Sequence, residues 1–202
     1  MRQQAHPSTI TVSRGLARFG LAASGAVLAA SAWASGLNEP GLAFAAGSGD
    51  ESWYELAVSA DGVRVRAARP QDDGAASQGA LVVHVPGTRL VEGLRVNHLF
   101  RHAPLRPEAG RDYQLGLGKT SFAFRVDTVA AGMRYVIRYG GAVHEYVLGA
   151  PAAATQVLAI ADLDGDRLPD FLVEVAGEFY LLLSTHASAG ANLPSAQLWA
   201  AQ

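Results

Sequence analysis

The sequence contains no cysteine, which excludes disulfides and any lipid anchor built on a cysteine. A chain of this size must then hold itself together by core burial, with help at most from a bound ion. No G-x-S-x-G is present, so no local pattern marks a serine nucleophile, although a triad assembled in space leaves little trace in one sequence. No Arg-Arg pair is present in the N-terminal region, which argues against twin-arginine export. No apolar run reaches the roughly 20 residues of a spanning helix, and no amphipathic helical period of convincing length appears. Lysine is nearly missing: 15 of the 16 basic residues are arginine, a bias associated with GC-rich bacterial genes.

What is present begins with an export signal. The stretch "MRQQAHPSTITVSRGLAR" carries only positive charge and precedes the small-residue apolar run Phe19 to Ala34, which ends on Ala32-Trp33-Ala34. A charged region, a short apolar region and an A-x-A site make residues 1–34 a secretory signal peptide, so the mature protein is expected to be periplasmic or secreted, without a membrane span. Cleavage there removes three of the 16 basic residues and no acid, leaving 13 basic against 18 acidic groups, a net charge of −5. That balance argues against a nucleic-acid partner. Residues 35–52 are rich in Gly, Ala, Ser and Pro and read as a flexible leader.

From residue 53 onward, strand patterns follow one another with short turns. The stretch "WYELAVSADGVRVRAA" has two runs separated by Asp61-Gly62, a hairpin pattern, and "MRYVIRY" and "AVHEYVL" flank Gly140-Gly141. In "SFAFRVD", Phe122, Phe124 and Val126 share one face while Ala123, Arg125 and Asp127 share the other. "ALVVHV" reads as a strand closed by Pro86-Gly87, and "LRVNHLF" as a strand leading into a proline-containing loop. The expected fold is mainly β: a single-domain antiparallel sandwich or partly open barrel over residues 53–202, with a strand-loop-strand metal motif near the C-terminus.

That motif is "DLDGDRLPD", between the apolar runs "VLAIA" and "FLVEV". Counted from Asp162, carboxylates fall at positions 1, 3, 5 and 9: Asp162, Asp164, Asp166 and Asp170. Clustered carboxylates repel one another, and alternate positions of a tightly wound loop converge on a common centre, so the spacing suits Ca²⁺. Leu168, at position 7, would add its backbone carbonyl. Mg²⁺, with its strict octahedral shell, fits fewer protein ligands. The competing reading is a plain polar turn.

The loop differs from an EF-hand, because Val173 stands where a bidentate Glu belongs and the flanks are strand-like. Over residues 157–183 it resembles the calcium loop of the FG-GAP or VCBS-type repeat, found in integrin propellers and in many exported bacterial proteins, where D-x-D-x-D-G-x-x-D joins two antiparallel strands. The single copy argues against a complete propeller. Arg167 stands at the position that is usually glycine; if the backbone there takes a positive φ, a side chain costs on the order of 1 kcal/mol.

Other patterns are weaker. "GLGKTS" lacks the first glycine and the following helix of a P-loop and reads as a β-turn. His98 and His102 are spaced as helical metal ligands, but no third ligand accompanies them. Five arginines lie between residues 89 and 111; they read as a solvated loop or, centred on Arg95, Arg101 and Arg106, as an anion-binding face. The function expected from all this is a non-enzymatic binding module of the bacterial cell envelope with a structural Ca²⁺ site, whose partner is an envelope component or another protein. The alternative is an exported hydrolase with a structural or substrate-bridging Ca²⁺.

Overall fold

The alternation in the sequence is realised as strands throughout the residues that the computed structural model describes, 53–59, 61–68, 79–99 and 104–200. The signal peptide, the leader, Arg101 and His102 lie outside them. In chain order the strands are β1 (Trp53–Val58), β2 (Gly62–Ala68), β3 (Leu81–His84), β4 (Gly93–Val96), β5 (Asp112–Leu117), β6 (Thr120–Val129) and β7 (Gly132–Tyr139). They continue as β8 (Ala142–Leu148), β9 (Thr155–Ala161), β10 (Asp170–Val175), β11 (Glu178–Leu182), β12 (Gly190–Asn192) and β13 (Ala196–Ala200). A single 3₁₀ turn, Ser184–His186, follows β11, and among the described residues there is no α-helix. No helix there is long and apolar enough to cross a membrane.

Eight strands form one antiparallel sheet in the order β4-β2-β1-β3-β13-β11-β10-β9, curled nearly into a barrel. Its two edges approach each other around β4: the Val91 amide donates to the Leu163 carbonyl at 2.7 Å and the His98 amide to that of Ile160 at 2.8 Å. Between these contacts the Arg95 side chain spans the gap. Five further strands, in the order β12-β8-β7-β6-β5, make the second sheet, in which only the short β12–β8 pair is parallel.

The sheets enclose two apolar clusters. Tyr54, Leu56, Val63, Val65, Leu172 and Leu181 are among those filling the near-barrel, while Phe124, Tyr135, Ile160, Phe171 and Val173 are among those packed between it and the second sheet. Strand β10 serves both clusters. Phe171 and Val173 face the second sheet and Leu172 faces the barrel interior, which is why "FLV" is a continuous apolar run rather than an alternating one. Phe171 meets Phe122 and Phe124 edge-on, with ring centroids 6.0 and 5.4 Å away. Strand β9 carries one extra residue, Leu158, where its register with β10 shifts, a bulge that bends the strand as it leads to the aspartate loop.

The turns follow local chemistry. Gly140 and Gly141 both have positive φ, 58° and 80°, the conformation that two-residue hairpins demand. Gly62 serves a different end: a Cβ there would lie 2.2 Å from the Arg95 carbonyl oxygen across the β2–β4 pair. Gly62→Ala is therefore expected to displace β4 and destabilise the domain by about 1–3 kcal/mol, the usual range for overpacking, in urea unfolding. A parent-like midpoint would mean that β4 yields freely.

Candidate metal centre

The aspartate loop runs from the end of β9 to the first residue of β10, and its own side chains wind it. Asp162 Oδ1 accepts the Gly165 amide at 2.7 Å, Asp164 Oδ1 the Asp166 amide at 3.2 Å and Asp166 Oδ1 the Leu168 amide at 2.7 Å. Each aspartate thus folds the backbone ahead of it, as Asp does in tight turns. The outcome is convergence: Asp162, Asp164 and Asp166, all half-buried, each bring a carboxylate oxygen within 4.8 Å of the others. Oxygens 2.3–2.6 Å from one Ca²⁺ lie at most about 5 Å apart, so the three fit one coordination shell.

Asp170 sits behind them, fully buried. Its Oδ2 accepts the Leu163 amide at 2.7 Å, and its Oδ1 accepts the Ser184 amide at 2.8 Å. The Ser184 hydroxyl lies within reach of both Asp170 Oδ1, at 2.9 Å, and Asp166 Oδ2, at 2.7 Å, so one group links the buried carboxylate to the cluster. Three donors against about four lone-pair directions leave Asp170 one acceptor position. Thr185 Oγ1 donates to Asp164 Oδ2 at 2.7 Å. The 3₁₀ turn after β11 therefore forms the back wall of the loop.

The electrostatics explain what the loop lacks by itself. Burial pushes the Asp170 carboxyl well above the usual carboxylate range, and the charge of Asp164 pushes it the same way. Asp164 is raised too, by burial and, against its hydrogen bonds from Thr185 and Asp166, by the charges of Asp166 and Asp162. The field reaches the second sheet: burial and then the charge of Asp170 lift the Tyr146 phenol to about 12, and Tyr139 is raised by burial, Tyr146 and three of the loop carboxylates. A divalent cation among the carboxylates would relieve this accumulation of negative charge.

Arg95 brings a cation to the loop from β4. Its Nε donates to the Asp162 backbone carbonyl at 2.8 Å, with Nη2 3.7 Å from Asp162 Oδ2. Compared with models of protein families, with curated proteins and with solved structures, the chain matches none. The chemistry of the loop is therefore read from its own geometry.

The other sequence candidates separate. Leu168 is half-buried within the loop. Arg106 is exposed next to Leu105, which bridges to Val157 of β9, and does not join Arg95. Glu108 engages Arg111 instead, at 2.9 Å. "GLGKTS" is the β5–β6 hairpin, with Gly118-Lys119 at its tip. Ser184, Thr185, Tyr139 and Tyr146 were not indicated by any sequence pattern; 14 residues of chain separate even Ser184 from Asp170.

Arg167 takes φ +68°, the left-handed region that favours glycine. Arg167→Gly is expected to raise stability by about 1 kcal/mol through relief of that strain and to tighten divalent-ion binding by removing a positive charge from the loop. Unfolding midpoints and an ion titration of the variant check both, and a destabilised variant would mean that the arginine makes a stabilising contact outweighing its backbone.

Proposed function

We propose that the chain is an exported, calcium-stabilised β domain of the bacterial cell envelope, acting by binding rather than catalysis. The loop is a single FG-GAP or VCBS-type Ca²⁺ site. Asp162, Asp164 and Asp166 supply side-chain oxygens, Leu168 its backbone carbonyl, Asp170 its remaining acceptor position, and water the rest. The ion is structural: it neutralises the carboxylates and fixes the junction of β9, β10 and the 3₁₀ turn.

The observation that carries this reading is the approach of three carboxylate oxygens to within 4.8 Å, with a fourth, buried carboxylate tied to them through Ser184. A binding role is favoured over hydrolysis because, among the described residues, the groove beside the loop carries Arg95, Lys119, Arg167 and His98 but no carboxylate besides Asp162, which Arg95 engages. The test is a calorimetric titration of the chelator-stripped chain. One Ca²⁺ should bind per chain, with Mg²⁺ markedly weaker; the absence of Ca²⁺ heat at millimolar concentration would dismiss the site.

A further inference from the structure

Beside the aspartate loop, a groove of about 800 Å³ opens between β4, the β5–β6 hairpin tip and the loop's outer face. That volume is typical of a small-molecule site. Its polar side carries Arg95, His98, Lys119 and Arg167, and its apolar side includes Leu94 and Val96. These two apolar side chains, two residues apart on one face of β4, are 47% and 61% exposed and so present an aliphatic surface to anything in the groove.

The charges are unbalanced. Asp162 is the only acid among the described residues that line the groove, and Arg95 is already engaged with it. Among the described residues, neither Lys119, the chain's single lysine, nor Arg167 forms an ion pair, although both are exposed at the groove. Arg167 is also held in a left-handed backbone conformation at a loop position where glycine would be free of strain. Ala152 and Ala176 share that conformation, but among the described residues only Arg167 also lines the groove, where its side chain supplies charge to a concave surface. Thr120 fixes this geometry: its hydroxyl donates to the Arg167 carbonyl at 3.2 Å, tying the hairpin tip that bears Lys119 to the loop that bears Arg167.

We infer that this groove is a binding site for an amphiphilic oxyanion, a carboxylate or phosphate head on an aliphatic body. The head lies between Arg167 and Lys119, and the body covers Leu94 and Val96. Arg167 offers a planar fork for two oxygens and Lys119 a mobile point charge. Arg95, braced by Asp162, keeps the field positive at the inner end. The aliphatic rather than aromatic lining selects alkyl chains over flat rings.

The test is a titration of the full chain at constant ionic strength in the presence of chelator, so that its failure is independent of the calcium reading. Hexanoate and hexyl phosphate serve as charged probes, hexanamide as the neutral counterpart and acetate as the head alone. At least one charged probe should bind about tenfold or more tighter than both hexanamide and acetate, and the stronger of the two identifies the head group. Arg167→Gly should weaken that binding about tenfold while melting no lower than the parent, which separates lost recognition from lost folding, and Lys119→Gln should act in the same direction. Binding of both hexanoate and hexyl phosphate no tighter than that of hexanamide, no binding of either anion, or unchanged affinity in Arg167→Gly would each overturn the assignment.

Discussion

Asp170→Ala should cost about 3–5 kcal/mol, enough to unfold much of the population near body temperature in a domain of ordinary stability. The change removes the acceptor for the Leu163 and Ser184 amides and for the Ser184 hydroxyl, all at a position with no solvent access. Each buried donor left without a partner costs about 1–3 kcal/mol, and the cavity adds to it. Asp170→Asn distinguishes the contributions. It keeps the shape and one acceptor oxygen but points an N–H at one of the amides, so a milder loss of about 1–3 kcal/mol is expected in chemical denaturation. If Asn were as damaging as Ala, the charge rather than the hydrogen bonding would be the essential property. If both were harmless, Asp170 would not be the tie between the loop and the 3₁₀ turn.

The second large effect concerns the ion. A ligand that binds only the folded state at a hundred times its Kd adds about 2.7 kcal/mol, which for a domain of this size corresponds to a rise of about 5–10 °C in Tm. Millimolar Ca²⁺ should therefore move the melting curve of the chelator-treated protein by several degrees, and chelator should reverse it. Asp164→Ala should abolish the shift while changing the ion-free Tm little. Its carboxylate accepts from Thr185 and the Asp166 amide at a half-buried position, yet repulsion from Asp162 and Asp166 offsets part of what those bonds contribute. The contrast between the two residues is the informative result. Asp170 should govern stability with or without the ion, and Asp164 only with it.

Features encoded within a few residues were legible from the sequence, and features made by distant pairing were not. The Gly140-Gly141 hairpin and the one-sided face of Phe122, Phe124 and Val126 are local patterns, and both appear as read. So does the mainly antiparallel β fold. The two C-terminal strands left no comparable signal. β12 is three residues, Gly190–Asn192, held parallel to β8, and β13 is a five-residue strand whose role is to fill the place between β3 and β11 in the larger sheet. Neither role has a periodicity of its own; each is defined by the strands it reaches.

The same division holds at the site. Carboxylates at alternate positions are visible in nine residues of sequence, and their side chains do turn toward a common centre. Ser184 and Thr185, which close the back of the loop, are small polar residues of a kind found in any turn. Lys119 in turn meets the groove of Arg167 only because the β5–β6 hairpin reaches the loop, 47 residues separating Thr120 from its acceptor. Among the described arginines between residues 89 and 111, Arg95 lines this surface, because β4 carries its side chain to Asp162.

Calcium-soaked crystals of the chelator-stripped protein, examined for anomalous scattering, address the central claim without an intermediary. The account predicts one peak with oxygens of Asp162, Asp164 and Asp166 about 2.3–2.6 Å away and Asp170 completing the inner side. Carboxylates still held by their amides and hydroxyls, with only water between them at saturating Ca²⁺, would contradict it.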